Sequence, residues 1–226
     1  MIYAMSDLHG CYEKYEKMLK LIGFNDSDVL FVLGDVVDRG SDGIKILLDL
    51  MNRNNVVVLR GNHDYVAYKL LSEYIKANSY TDIINYANDY ITWLSDGGKA
   101  TYNGFLNLRK NEQKRLLKYL ESLPVYHELT VNGNSFFLSH TVPGKEKMLN
   151  FDRCSWQDFI LGEPEYEKCY FKDKYIVTGH TPTGFIDEEF IGRIYRKNNH
   201  IAIDCGVCFG GRLGCIRLDD FTEFYV

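Results

Sequence analysis

The chain lacks both a basic excess and a long apolar run, and each absence excludes a class of partner. Its 31 Asp and Glu outnumber its 26 Lys and Arg, which argues against broad binding to nucleic acid, because such binding calls for a basic surface. No run approaches the roughly 20 apolar residues of a membrane-spanning helix, and the N-terminus lacks the basic and apolar regions of a signal peptide. We therefore expect a cytoplasmic protein that binds neither nucleic acid nor membranes.

Cysteine is sparse for a disulfide framework, with 6 residues in a chain of 226. That number is typical of reduced thiols rather than of a small secreted domain. Cys205 and Cys208 form a C-x-x-C pair, but the second pair that a zinc ribbon needs is missing, and so is the βαβ context of a thioredoxin-like motif. We interpret both residues as small apolar side chains near the end of a strand.

The first third of the chain alternates short apolar runs with amphipathic segments. The apolar runs predict three strands, at 2–5, 29–33 and 56–59, and the amphipathic segments predict helices at 12–22 and 44–51. Strands and helices in this order form right-handed crossovers, which predict a mainly parallel sheet.

The rest of the chain predicts helices first and strands afterwards. Helical patterns cover 65–94 and 111–123. Strands are then expected at 125–131, 135–138, 175–178, 201–204, 215–218 and 223–226, with a hairpin turn at 132–134. The charged and aromatic segment at about 143–174 predicts a cap or flap over a site. We expect one α/β domain over residues 1–226, with a β-rich second half.

A polar cluster follows each of the first three predicted strands. The clusters are 6–10 (SDLHG), 34–40 (GDVVDRG) and 60–64 (RGNHD). Because parallel strands bring their carboxyl ends to one edge of a sheet, these side chains should converge there. Carboxylates mixed with imidazoles suit first-row divalent metals, and an Asp can bridge two such ions about 3.5–4 Å apart. His140 and His180 also follow apolar runs directly and would add ligands, whereas no role is expected for His127 and His200.

These motifs, in this order, resemble those of the PPP-type metallophosphoesterases, the calcineurin-like superfamily. It includes the protein serine/threonine phosphatases, small bacterial and bacteriophage phosphatases, and the symmetrical diadenosine tetraphosphate hydrolases. The resemblance runs from Asp7 to about Leu218. It implies a four-layer α/β sandwich of two packed mixed β-sheets flanked by helices, with a dimetal site at the strand ends.

The resemblance also implies a role for each site residue. Two divalent metal ions are expected, Mn first, with Fe, Zn, Ni or Co as other candidates. Asp7 and His9 would bind the first ion, Asp35 would bridge both, and the second would take Asn62, His140 and His180. His63 would be the general acid, oriented by Asp38, while Arg39 and Asn62 would bind the phosphate. This arrangement suits hydrolysis, since two Lewis acids ionise a water and an alkoxide leaving group needs a proton.

The motif details divide between two branches of the superfamily. Residues 7–12 (DLHGCY), the intact 38–40 (DRG) and 179–182 (GHTP) resemble the bacterial and phage protein phosphatases. Asp64 and the segment 204–213 resemble the tetraphosphate hydrolases instead. The lead hypothesis is a phosphomonoesterase acting on phosphoserine or phosphothreonine proteins, and the alternative is a symmetrical diadenosine tetraphosphate hydrolase that releases two ADP.

Two further points bear on the substrate. The phosphatases place a second phosphate-binding Arg just after a Trp, but Gln157 follows Trp156 here, so Arg153 is the candidate replacement. Tyr166, Tyr170 and Phe171 are candidates for stacking on an adenine, although packing within the cap explains them equally well. An inactive module that binds phosphorylated partners is a remote alternative, because such a module should have lost a ligand or the acid.

Overall fold

Two five-stranded mixed sheets form the centre of the computed structural model, which describes residues 1–77 and 86–226. The first sheet contains β1 (Ile2–Met5), β2 (Val29–Val32), β3 (Val56–Val58), β9 (Gly214–Arg217) and β10 (Glu223–Tyr225), in the order β10-β9-β1-β2-β3. The second contains β4 (Tyr126–Val131), β5 (Asn134–Ser139), β6 (Lys174–Thr178), β7 (Tyr195–Lys197) and β8 (His200–Ala202), in the order β4-β5-β6-β8-β7.

The strand registers explain why the polar clusters meet. Strands β1, β2 and β3 are parallel, with Met5 opposite Val32 and Val32 opposite Val58. The three strands therefore end at the same level, and their polar clusters leave the sheet side by side. In the second sheet β5 and β6 are parallel, with Leu138 opposite Val177, so the loops that carry the two later histidines also leave together.

A hydrophobic layer between the sheets holds these strand ends together. Alternate residues of the strands enter it, among them Phe31 and Leu33 from the first sheet and Phe136 and Leu138 from the second. The residues that alternate with these along the strands of the first sheet, such as Met5 in β1, face the helices on the outer side of that sheet. The alternation follows from the two-residue period of a strand.

Helices cover the outer face of the first sheet. They are α1 (Tyr12–Leu21), α2 (Gly43–Leu50), α3 (Asn62–Lys76), α4 (Ala87–Trp93), α5 (Lys99–Leu106) and α6 (Lys110–Ser122), with a π-helical turn at Leu94–Gly98. Within the predicted helix at 65–94 the structure describes α3 and α4, and residues 78–85 of that prediction lie outside the described part of the chain. Among the described residues, none of the helices has the length and apolar character that a bilayer crossing requires.

The elements that were not predicted from the sequence include β7 and α5. The three-residue strand β7 is too short for a period-two pattern, and two of its side chains are exposed. Helix α5 contains Gly104 and β-branched Thr101, which weaken a helical signal. It is held instead by burial of Thr101 and Phe105 against the rest of the helical layer.

The segment expected to be a cap forms a layer on the outer face of the second sheet. It contains α7 (Lys145–Leu149), a 3₁₀ turn (Phe151–Arg153) and α8 (Asp158–Leu161), and α9 (Thr183–Ile186) follows β6. Met148, Phe159 and Tyr170 pack there against Phe137 and Ile176. Tyr166 is also buried, so packing, rather than stacking on a base, accounts for the two tyrosines. Closure of this segment over a site stays a prediction.

Truncation of Leu138 tests the layer between the sheets. Because the side chain is fully buried, Leu138→Ala should lower the free energy of unfolding by about 2–5 kcal/mol. Urea denaturation measures the change. Leu161→Ala, at an exposed position, is the matched control and should stay within about 0.5 kcal/mol of the wild type. A cost below about 1 kcal/mol for Leu138→Ala would contradict the packing described.

Candidate metal centre

The loops after β1, β2, β5 and β6 and the first turn of α3 converge at one edge of the two sheets. They bring together all six residues predicted as metal ligands, which are Asp7, His9, Asp35, Asn62, His140 and His180. Asn62 and His180 are partly exposed and the other four are buried. Residues separated by up to 173 positions thus share one crevice.

The backbone at this edge is strained. Several non-glycine site residues have φ angles in the left-handed region, a conformation that costs on the order of 1–3 kcal/mol per residue. They are Asp7 (54°), His9 (39°), Asp35 (53°), Asp38 (68°), Arg39 (67°) and His180 (69°). A Cβ atom at Gly61 would collide with the Asp35 carboxylate, and one at Gly179 would collide with the side chains of Ser6 and Asp7. Only glycine lets these loops approach so closely.

One group of donors suits a single cation. The Nδ1 atom of His140 donates to the Leu33 carbonyl at 2.8 Å, so its Nε2 atom carries a lone pair. That atom lies 2.9 Å from Asn62 Oδ1 and 3.1 Å from His180 Nδ1. Ligands of one ion at 2.0–2.2 Å lie about 3.0–3.4 Å apart. Two acceptors that face each other at this distance repel unless a cation lies between them, so this group fits a metal ion.

Asp35 connects this group to a second one. Its Oδ2 atom lies 3.5 Å from His140 Nε2 and 3.6 Å from His9 Nε2. His9 is oriented like His140, because its Nδ1 atom is hydrogen-bonded to the Val37 carbonyl at 2.9 Å. The Oδ1 atom of Asp35 accepts a hydrogen bond from His63 N at 3.0 Å, which leaves Oδ2 for the ions. This is the geometry that a bridging carboxylate needs.

The protonation states also suit metal binding. Burial lowers the pKa of His9 and of His180 to about 4, so both imidazoles are neutral, the form that binds metals. Burial alone would raise the pKa of Asp35, but the neighbouring imidazoles, His140 foremost, hold it below its usual range. Asp35 is therefore ionised.

Asp7 and Asp204 add two buried carboxylates beside Asp35. Burial raises the pKa of Asp7, and the charges of Asp204 and Asp35 raise it further. Burial, with a contribution from Asp35, raises the pKa of Asp204 to about 7. Buried like charges need a positive countercharge, and two divalent cations would supply it. Asp204 was missed from the sequence, although it also ends a predicted strand.

The compact groups of His, Cys, Asp and Glu side chains include His63, which was expected to be the acid, and omit Asp7, which was expected to be a ligand. Among residues 1–77 and 86–226, the His, Cys, Asp and Glu side chains whose donor atoms lie within 4.8 Å of one another form the groups His9–Asp35–His63 and Asp35–His140–His180. Asp35 belongs to both, as expected of a bridge. Asp7 belongs to neither, and its Oδ2 atom accepts hydrogen bonds from Ser6 Oγ and His180 N. Its role as a ligand stays a prediction.

His63 has the environment of a proton donor rather than of a ligand. Its Nδ1 atom lies 2.8 Å from Asp38 Oδ2. Asp38 is fully buried, and it accepts further hydrogen bonds from Trp93 Nε1 at 2.9 Å and Thr101 Oγ1 at 2.6 Å. Burial opposes the charged imidazole, but the hydrogen bond to Asp38 and the charges of Asp35 and Asp38 prevail and raise the pKa of His63. A protonated imidazole fixed in this way can act as a general acid.

Arg39 lies between the acid and the ligands. Its Nη2 atom is 3.1 Å from His63 Nε2, and its Nη1 atom is 2.6 Å from His9 Nε2. The guanidinium carbon lies 5.0 Å from the ring centroid of Phe209, and Nη1 contacts Cys208 Sγ at 3.7 Å. A planar cation at this point can hold two phosphate oxygens. Cys208 thus supports Arg39, while buried Cys205 packs between the sheets as expected.

Arg153 is not grouped with these residues. It is exposed and lines a separate cavity of about 520 Å³ together with Glu146, Lys147 and Glu165. None of its neighbours there is a predicted ligand. Its role as a second phosphate-binding Arg stays a prediction, without support from the geometry.

Asp64 fixes the position of the loop that carries Asp35. Its carboxylate accepts hydrogen bonds from Asp35 N at 2.8 Å, Val36 N at 3.0 Å and Gly61 N at 3.0 Å. From the sequence alone, Asp64 served only to distinguish the branches of the superfamily. Its structural role could have been predicted from its position, because an acidic side chain in the first turn of a helix can accept a hydrogen bond from the backbone of the residue that precedes the helix.

Removal of the bridging charge should weaken both ion sites. In Asp35→Asn the neutral amide holds one cation less tightly and cannot neutralise two, so we expect the bound manganese to fall well below the wild-type content. Metal analysis after dialysis measures this, with Asp173→Asn, at an exposed position, as the matched control. Undiminished metal in Asp35→Asn would rule out the bridging role.

Comparisons of sequence connect this site to named proteins. The symmetrical bis(5'-nucleosyl)-tetraphosphatase of Buchnera aphidicola subsp. Schizaphis graminum (strain Sg) is 35% identical over 100 residues, which is 41% of this chain and 37% of that protein. The alignment with this relative therefore spans little more than a third of its length. The asymmetrical bis(5'-nucleosyl)-tetraphosphatase PrpE of Geobacillus sp. (strain WCH70) is 25% identical over 255 residues, covering 100% of this chain and 93% of that protein.

Comparisons of structure confirm the predicted sandwich of two mixed sheets flanked by helices. A crystal structure described as a diadenosine tetraphosphatase superposes with a TM-score of 0.70 at 16% identity, covering 100% of this chain and 92% of the other. A serine/threonine phosphatase from Saccharomyces cerevisiae gives a TM-score of 0.58 at 14% identity, covering 100% and 78%. At these identities the likeness extends to the fold alone. The family model described as calcineurin-like phosphoesterase matches residues 1–184, so the chain belongs to the calcineurin-like phosphoesterase family.

Proposed function

We propose that this protein is a metal-dependent hydrolase of bis(5'-nucleosyl) tetraphosphates. The observation that carries the proposed chemistry is the pair of ligand groups that share Asp35, beside the hydrogen-bonded pair of His63 and Asp38. The proposed substrate follows the comparisons, which favour the alternative over the lead hypothesis of a protein phosphatase. The relative aligned over the whole chain and the one aligned over 41% of it are both named tetraphosphatases.

The residues of the site would divide the work of hydrolysis as follows. When bound, two divalent cations, for which we propose manganese, would activate a water and polarise the phosphate oxygens. The six predicted ligands would hold them. Arg39 would bind the phosphate as charge develops on it, and His63 would give the proton on its Nε2 atom to the departing oxygen. Asp38 fixes the imidazole tautomer for that transfer.

A protein phosphatase is the second candidate, favoured by one observation. The contact between His63 and Asp38 is buried and short, and an alkoxide from serine or threonine depends more on a proton donor than a departing phosphate does. A cytoplasmic location, and substrates that are small dinucleotides or phosphorylated proteins rather than nucleic acid, belong to both proposals.

A side-by-side turnover assay with manganese separates the two candidates. We expect cleavage of diadenosine tetraphosphate at least about tenfold more efficient than release of phosphate from a phosphoserine or phosphothreonine peptide. Chromatography identifies the products: two ADP indicate symmetrical cleavage, and AMP with ATP indicates asymmetrical cleavage. Dephosphorylation of the peptide with little cleavage of the nucleotide would overturn the proposal in favour of the second candidate.

Removal of His63 tests the assignment of the acid. His63→Ala should lower kcat by about 10²–10⁴ while the metal content stays at the wild-type level. The wild-type rate should fall as the pH rises through the raised pKa of His63, because the acid must be protonated, and the variant should lose that fall. His127→Ala, outside the site, is the control. Unchanged turnover in His63→Ala would show that another group supplies the proton.

A further inference from the structure

A cavity of about 280 Å³ lies beside the proposed acid, between α3 and the α4 region. His63 lines it at one end, and Tyr65, Val66, Leu70, Thr92 and Trp93 line its walls. Along α3 the lining runs from His63 to Leu70, which is about 10 Å at 1.5 Å per residue. The volume is close to the lower end, about 300 Å³, of the range for pockets that bind small molecules.

The position of His63 shows which part of a substrate reaches this cavity. A general acid protonates the departing oxygen, so the leaving group must extend from His63 away from the attacking water. Because His63 also lines the cavity, a leaving group about 10 Å long can extend along it. Trp93 contacts both the cavity and the pair of His63 and Asp38. Its ring lines the cavity, and its Nε1 atom donates a hydrogen bond to Asp38 at 2.9 Å.

The chemistry of the lining suits a nucleoside rather than a phosphate. Val66, Leu70 and Trp93 provide an apolar wall for a base. Asp96 lies 3.9 Å from His63 Nε2, and Asp89 pairs with Lys69 at 3.1 Å. These exposed carboxylates can accept hydrogen bonds from ribose hydroxyls. An exposed pair such as Lys69–Asp89 contributes little to stability, so a ligand can replace it at low cost.

We propose that this cavity binds the nucleoside of the departing nucleotide, an inference that rests on the proposed function for its substrate. If the cavity binds this nucleoside, the residues of its walls, including Thr92 on α4, determine which leaving groups the protein accepts. The phosphate that is attacked would lie between Arg39 and the metal ligands, and the departing nucleotide would extend past His63 with its base towards Leu70.

Binding of two matched ligands to the manganese-loaded protein tests the inference without turnover. The ligands are α,β-methylene-ADP and methylenediphosphonate, which share a P–C–P group and differ by the adenosine. Calorimetry gives both dissociation constants, and their ratio isolates the contribution of the nucleoside. We expect the adenosine to tighten binding by at least about tenfold in the wild type.

A substitution that fills the cavity should remove this preference. In Thr92→Trp the ratio should fall to near one, while Ile91→Trp, its exposed neighbour on the same helix outside the cavity lining, should keep the wild-type ratio. Equal affinities for both ligands in the wild type, or an undiminished ratio in Thr92→Trp, would overturn the inference. Failure to cleave diadenosine tetraphosphate while this binding contrast persists would instead overturn the proposed function alone.

Discussion

The repulsion among three buried carboxylates at one edge of the sheets governs the organisation of the site. Asp7, Asp35 and Asp204 are at most 5% exposed, and in such a setting ionised carboxylates are stable only beside positive charge. Positive charge on the four surrounding imidazoles would hold the pKa of Asp35 below its usual range, but burial lowers the pKa of three of them, so those three supply little charge near neutral pH. Cations from outside the chain would therefore best neutralise the carboxylates at this edge of the sheets. That requirement explains why neutral nitrogen donors face Asp35 from both sheets.

The strained backbone and the packed sheets depend on one another. Left-handed φ angles at Asp7, Asp35 and His180 would relax in a flexible loop. Here each loop leaves the end of a strand whose neighbours are fixed by the hydrophobic layer between the sheets. Asp64 adds a further constraint through its hydrogen bonds to the Asp35 loop. The packing between the two sheets thus stabilises the strained loops and holds their ligand atoms close enough to bind one ion.

The convergence of the predicted ligands could be foreseen because each lies in a polar cluster that follows an apolar run, whereas the role of each ligand was implied by the family resemblance. Asp35 and His140 follow strands that the pattern of apolar residues identifies, and the ends of parallel strands must meet. Asp204 also ends a predicted strand, but it stands there without a neighbouring His or Gly-Asp motif, and such a carboxylate usually caps a turn. The predicted strand order indicates that these side chains meet at one edge of the sheet. It does not give the distances between their donor atoms.

The groups that position the acid could not be found in this way. Trp93 and Thr101 contact Asp38 across 55 and 63 residues, and only the packing of α4 and α5 brings them there. Arg153 was proposed because of its closeness to Trp156 along the chain, a relation that carries no information about space. The cavity beside His63 likewise depends on how α4 lies against α3. The tetraphosphatase hypothesis gained its support from relatives rather than from any single motif.

The spacing of the two ions is the central quantity, and electron paramagnetic resonance of the manganese-loaded protein measures it directly. If Asp35 bridges two ions about 3.5–4 Å apart, the protein loaded with two Mn²⁺ per chain should give the broad multiline spectrum of an exchange-coupled pair. The six-line spectrum of isolated Mn²⁺ at full occupancy would contradict the account, because it would place the ions too far apart to share one carboxylate.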